Sequence, residues 1–138
     1  MMPDDATFPA GFTPLTDAGA FVEQVGPLYA REHDGVIGVR VEARHLNLAG
    51  SAMGGFLATL VDVAFGRAIR AEADGESVVA TVSLTTDYLR PGPAGAWLEV
   101  RAEVEELTGR LAFGDASVCA DGEEIVRARA VFAVRSES

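Results

Sequence analysis

One acid stands by itself inside a long apolar stretch. Residues 54–73 hold no proline, and Leu57, Leu60, Val61, Ala64 and Ala68 recur there at helical spacing around Asp62. A carboxylate in such surroundings is costly unless it is paired or hydrogen-bonded. On a helical wheel at about 100° per residue, Asp62 shares its face with Gly55, Ala58, Thr59 and Gly66, and the large side chains lie opposite. The acid therefore looks out from a strip of small residues that leaves space in front of it. Such an acid suits a general base that activates water, or, second, a nucleophile. The competing assignment is a structural acid, satisfied by a backbone N–H or by Arg67 or Arg70.

Gly54 and Gly55 begin the same helix, where backbone N–H groups lack intrahelical partners and the helix dipole is positive. Glycine lets a substrate approach the backbone closely. Donors of this kind stabilise the oxyanion of a reacting carbonyl; a tight loop-to-helix turn is the plainer use of the pair. Asn47 adds an amide just before the helix, able to donate to a carbonyl or orient water, or else to close an Asx-turn. Gly54 and Asp62 are eight residues apart, which is about 12 Å along one helix. One carbonyl and its attacking water do not span that distance comfortably. Two antiparallel helices related by a two-fold axis would bring the Asp62 of one subunit beside the Gly54 of the other.

The flanking sequence supplies the frame. Residues 1–14 read as a loose lead-in. Thr16 is a candidate N-cap for a short amphipathic helix to about Ala30, carried by Phe21, Val22, Val25 and Leu28. Residues 35–46 read as a first strand. Gly75 is a candidate stop for the long helix. Four strand-like runs follow at 78–90, 97–107, 111–120 and 124–135. In the first, Val82, Leu84, Thr86 and Tyr88 alternate with Thr81, Ser83, Thr85 and Asp87. Asp121-Gly122 is a two-residue hairpin signal. The expected fold class is α+β: one domain over 1–138, with a tail and short helix at 1–32 and a core at 33–138. An antiparallel sheet wraps one long central helix, which is the hotdog arrangement.

The chain has 138 residues, 49% hydrophobic, enough for a real core. A net charge of −10 argues against a nucleic-acid partner. No charge-free apolar run is long enough to suggest a membrane span, and the acidic N-terminus lacks a signal-peptide pattern. Cys119 is the single cysteine, so no internal disulfide is available. No cluster has metal-ligand spacing. A cytoplasmic protein is the expectation. All 11 basic residues are arginine.

The run His45-Leu46-Asn47-Leu48-Ala49-Gly50-Ser51-Ala52-Met53-Gly54-Gly55, followed by Leu60-Val61-Asp62-Val63-Ala64, resembles the signature of hotdog acyl-CoA thioesterases of the phenylacetate-degradation (PaaI-like) type. Residues 81–91 resemble that family's next strand. The resemblance implies hydrolysis of an acyl-CoA thioester, with the site at a dimer interface. It implies Asp62 as base and Gly54 and Asn47 as carbonyl-side groups. It also puts Thr81 where relatives place a hydroxyl that holds water near the acid. His45 then orients the loop, and His33 reads as surface. Met53 departs from the family, which has His there, and a methionine cannot donate a hydrogen bond. Phe56, Phe65 and Met53 are candidates to line the acyl pocket together with Gly55, for an aryl or medium-chain group. Arg90 and Arg110 are candidates for the phosphates of coenzyme A, which enters only as part of the substrate, with no separate cofactor expected. Dimer and tetramer both stay open. The alternative reading is a non-catalytic acyl-CoA-binding module. A hydratase ranks below both, because neither histidine lies on the helix.

Overall fold

In a computed structural model of the chain, residues 8–73 and 77–135 are described. Seven strands form one antiparallel sheet: β1 (Phe12–Pro14), β2 (Tyr29–Arg31), β3 (Ile37–Arg40), β4 (Val78–Tyr88), β5 (Trp97–Leu107), β6 (Leu111–Ala120) and β7 (Glu123–Arg135). Their spatial order is β1-β2-β3-β5-β6-β7-β4. Helix α1 (Ala20–Val25) is short, and helix α2 (Gly54–Ala73) lies against the concave face of the sheet. This is the expected hotdog fold, and α2 has the expected bounds; Gly75 lies outside the described residues.

Hydrophobic periodicity explains the core. Leu57, Leu60, Val61, Ala64, Phe65 and Ile69 are buried on one side of α2, where they meet Leu98, Val100, Val118, Val126 and Phe132 from the sheet. β6 alternates buried and part-exposed residues along nearly its whole length, as a sheet with one covered face requires. A smaller cluster of Phe12, Tyr29, Val36 and Trp97 seals the β1–β3 end.

The N-terminal region differs from expectation. Phe12–Pro14 and Tyr29–Arg31 are strands, paired with each other through Phe12↔Arg31 and its neighbours. Thr16 is not the cap: α1 starts after Gly19, and Gly26–Pro27 ends it. Proline has no N–H and a fixed φ, so the helix cannot continue toward Ala30. The expected strand over 35–46 is shorter, Ile37–Arg40, and gives way to a 3-10 turn, Ala43–His45.

The expected strict alternation in β4 also fails at one point. Thr81 pairs with Phe132, yet Ser83 pairs with Val131, so Val82 is an extra, bulged residue. The bulge reverses the parity of the strand. Val79 and Thr81 face α2 before it, whereas Leu84, Thr86 and Tyr88 turn that way after it.

Gly114 in β6 marks the tightest place under the helix. A Cβ there would lie 2.5 Å from the Glu103 carbonyl oxygen and 2.8 Å from the Phe65 ring. Gly114→Ala should cost about 1–3 kcal/mol through overpacking. Gly109→Ala, with no atom within 4 Å of the new methyl, should cost far less. Urea unfolding of the two variants checks the difference.

Candidate active site

The helix start is fastened before any chemistry is asked of it. Asn47 Oδ1 accepts from the backbone N–H of Ala49 at 2.9 Å and of Ser51 at 3.1 Å, so Asn47 closes an Asx-turn. Its amide nitrogen reaches Ser51 Oγ at 3.4 Å, which leaves a second N–H for other use. Gly50 has φ +86°, a left-handed backbone that glycine adopts without strain. The Ala52 N–H donates to Gly92 O at 2.8 Å, and the Met53 N–H to His45 O at 2.8 Å. The loop is thus tied on both flanks.

His45 is buried and works as a strut. The Glu42 N–H donates to Nδ1 at 3.0 Å, and Nε2 lies 2.6 Å from Val25 O. These partners define the neutral tautomer with its proton on Nε2. The ring stacks on Phe56, with centroids 4.0 Å apart. Burial holds its pKa below the ordinary 6.5, with the bond to Val25 opposing. His33, in contrast, is exposed, and it lies 3.7 Å from Asp34 rather than without a neighbour.

Met53 is half-exposed, and its carbonyl accepts the Leu57 N–H at 3.0 Å as the first bond of the helix. The N–H groups of Gly54, Gly55 and Phe56 therefore have no helical carbonyl behind them. Gly55 is exposed, with no atom within 4 Å of the place a Cβ would take. Gly54 faces Tyr88, whose hydroxyl donates to Gly54 O at 2.8 Å and whose ring lies 3.4 Å from the Cβ position. Tyr88 is a residue of the candidate site that the sequence reading did not single out. Its signal was its place at the end of the strand that carries Thr81.

Asp62 is half-buried. Thr81 Oγ1 donates to Asp62 Oδ1 at 2.6 Å. Among the described residues no cation pairs with Asp62, so the structural ion pair with Arg67 or Arg70 is not formed. One carboxylate oxygen and the hydroxyl lone pairs stay available to a water molecule. Both groups line a cleft of about 760 Å³ with Thr59, Val63, Gly66, Arg67, Arg70, Val79 and Phe132, to which Asp17, Gly19, Phe21 and Val22 also contribute.

The other candidates are scattered. Phe56 is buried on His45, and Phe65 is wholly buried, with its ring 5.9 Å from that of Phe132. Arg90 reaches Glu123 Oε2 at 3.1 Å and the Glu124 carbonyl. Arg110 is exposed at the β5–β6 turn, beside a separate hollow with Val78, Ala80 and Arg135.

A helix start with open N–H groups, and a carboxylate held by a hydroxyl one strand away, are the parts of an acyl-transfer site. The model of the Thioesterase superfamily matches residues 49–126. The Pseudomonas aeruginosa protein named "Putative esterase PA0474" is 32% identical over 127 residues, covering 90% of this chain and 95% of its own length. A mutant of the phenylacetic acid degradation protein PaaI of Thermus thermophilus superposes with TM-score 0.71 at 31% identity, covering 82% of this chain and 96% of its own. The Escherichia coli PaaI protein of the phenylacetic acid degradation operon follows at TM-score 0.67 and 27% identity, with 72% and 70% covered. The chain belongs to the thioesterase superfamily. It is a thioester hydrolase of the hotdog fold. Among the described residues no helix is long and apolar enough to cross a membrane.

Two outcomes test the site. Thr81→Val keeps the shape and removes the hydroxyl. We expect kcat to fall about 10–100-fold with KM nearly unchanged, and Thr81→Ser to retain most activity. His45 has a folded pKa below its unfolded one, so protons favour the unfolded chain. Stability should be level above about pH 6.5 and drop as pH falls through the depressed value. Denaturant midpoints at about pH 7.5 and about pH 5.5 should differ more in the wild type than in His45→Gln.

Proposed function

We propose that the protein hydrolyses acyl-CoA thioesters at two sites per homodimer, each built from both subunits. The observation that carries this is the half-buried Asp62 carboxylate, paired with no cation among the described residues and hydrogen-bonded at 2.6 Å to Thr81. In the proposed reaction Asp62 takes a proton from a water that Thr81 helps to hold. The hydroxide adds to the thioester carbonyl. The resulting oxyanion is held by the Gly54 and Gly55 N–H groups of the other subunit, assisted by the free amide N–H of Asn47. Collapse breaks the C–S bond, and the departing thiolate takes the proton back from Asp62. The acid leaves with one oxygen from water, and coenzyme A leaves as the thiol. No separate cofactor enters the cycle.

Two facts support pairing of subunits. Asp62 and Gly54 are about 12 Å apart along one helix. β4 is also an 11-residue edge strand, with Val82 and Tyr88 exposed on it and Leu89 exposed just after it. Antiparallel pairing of two β4 edges would satisfy that edge and lay the two central helices side by side. Backbone polarisation also accommodates Met53, because the two glycines need no side-chain donor. An aryl or medium-chain acyl group fits the apolar walls Val63, Val79 and Phe132. The phenylacetic acid degradation role named for the Escherichia coli relative supports an aromatic one. A cytoplasmic setting fits coenzyme A thioesters.

Subunit mixing tests the reading. Asp62→Asn and Gly55→Val should each be close to inactive toward acyl-CoAs in a thiol-release assay. Unfolded and refolded together in equal amounts, they should regain up to about a quarter of wild-type activity. Half of the dimers are then mixed, and each of these keeps one intact site. No recovery, with both variants folded by circular dichroism, would refute a shared site.

A further inference from the structure

The cleft continues past Asp62 toward the C-terminal half of the central helix, and the chemistry of its walls changes along the way. Thr59, Asp62, Gly66 and Arg70 follow one another as a stripe along the helix. Val63, Val79, Phe132 and Val22 make the sides apolar, and Phe21 stands 65% exposed at the rim. Beyond them come two cations, Arg67 and Arg70.

Three observations bear on what these arginines can hold. First, Arg31, Arg44, Arg90, Arg101, Arg127 and Arg129 each have an acidic partner within 4.0 Å, while among the described residues Arg67 and Arg70 have none; Arg110 and Arg135 share that lack, but they line a different hollow, away from Asp62. Asp17 lines the same cleft, yet it forms no ion pair with either. Second, the Arg70 guanidinium folds back along the helix. Its Nη1 lies 3.5 Å from where a Cβ on Gly66 would be, one turn after Asp62. The absent side chain at Gly66 is what gives the guanidinium this space. Third, the chain carries a net charge of −10. A second anionic group on a substrate would be repelled by the protein as a whole and needs local cations to be held.

Resting on the thioesterase reading, we propose that the acyl group ends in a carboxylate held by Arg67 and Arg70. The preferred substrate is then the monothioester of a dicarboxylic acid, with an apolar body between its two ends. The thioester carbon sits against Asp62, the body lies along Val63, Val79 and Phe132, and the far carboxylate meets the guanidinium over Gly66. The helical rise from Asp62 to Gly66 is about 6 Å, which suits a chain of a few methylenes or a single ring. Guanidinium matches carboxylate geometry, and a pair of arginines can offer two such forks.

The phosphates of coenzyme A are the other anionic groups that these arginines would suit, and the experiment separates the two. Hydrolysis of adipoyl-CoA and hexanoyl-CoA is compared in the wild type, in Arg67→Gln and in the double variant Arg67→Gln/Arg70→Gln. The same acyl groups are also tested on pantetheine, which lacks the phosphates. The wild type should favour adipoyl over hexanoyl by about tenfold or more in kcat/KM on both carriers. The double variant should lose that preference and leave hexanoyl-CoA within about threefold of wild type. Equal losses on adipoyl-CoA and hexanoyl-CoA, absent with the pantetheine thioesters, would assign the arginines to phosphates and overturn the proposal. A wild type that prefers hexanoyl would also overturn it. Calorimetric affinities of Asp62→Asn for the two CoA esters give a readout independent of turnover. If no thioester is hydrolysed by the wild type, the thioesterase reading fails; equal affinities there would overturn the carboxylate proposal as well, and tighter adipoyl-CoA binding lost in the double variant would support it.

Discussion

A twenty-residue helix with a continuous apolar face from Phe56 to Ile69 must bury that face, and a sheet laid against it does so in a chain of this size. The structure follows from this demand. β5, β6 and β7 supply the long concave surface, and the core forms where their inward residues meet Leu60, Phe65 and Ile69. The sheet stops at β4, and on that side the helix turns Thr59, Asp62 and Gly66 toward the opening. Small residues there leave a cleft instead of a contact. The site is thus the place where the wrapping ends, and the acid is tolerated because that place is only half dry.

The helix and its acid were legible because period and composition are properties of consecutive residues. Gly54 as the start and the small face around Asp62 could both be read from spacing alone. The facing hydroxyl could not be read that way. Strict alternation put Thr81 on the strand face opposite Leu84 and Tyr88, and that parity holds only if pairing with β7 is regular. The bulge at Val82 depends on register between strands about fifty residues apart, which no local pattern encodes. The family resemblance pointed to Thr81; geometry supplied the reason it can serve. At the N-terminus the error was local. Gly26-Pro27 is a helix stop, although the apolar spacing of Val25 and Leu28 runs across it.

His45 illustrates how a conspicuous residue can do its work out of sight. A histidine beside a reactive loop invites a catalytic role. Both of its ring nitrogens are already engaged, by the Glu42 N–H and the Val25 carbonyl, and its face is covered by Phe56. What it offers the site is position. Its own carbonyl receives the Met53 N–H, so the orientation of the imidazole and the first turn of the helix are set together. The methionine at position 53 then matters through its backbone, whose carbonyl starts the helical ladder, more than through its exposed thioether.

Under the proposed pairing, strand β4 would join assembly to chemistry. A long edge strand with exposed Val82 and Tyr88 is a hazard for a free monomer, and neither lysine nor proline blunts it between Val78 and Tyr88. The same eleven residues carry Thr81, which holds the acid, and Tyr88, which holds the helix start through Gly54 O. Under the proposed pairing, the partner's edge would remove the strand's freedom to fray, and with it the freedom of both side chains. A subunit alone would then have every group it needs and still lack the arrangement, since its own acid and its own glycines lie too far apart for one carbonyl. Association of the proposed kind would supply that missing geometry at no cost in new catalytic residues. Such pairing would give a long exposed edge, regular on both sides of its single bulge, a partner to bind.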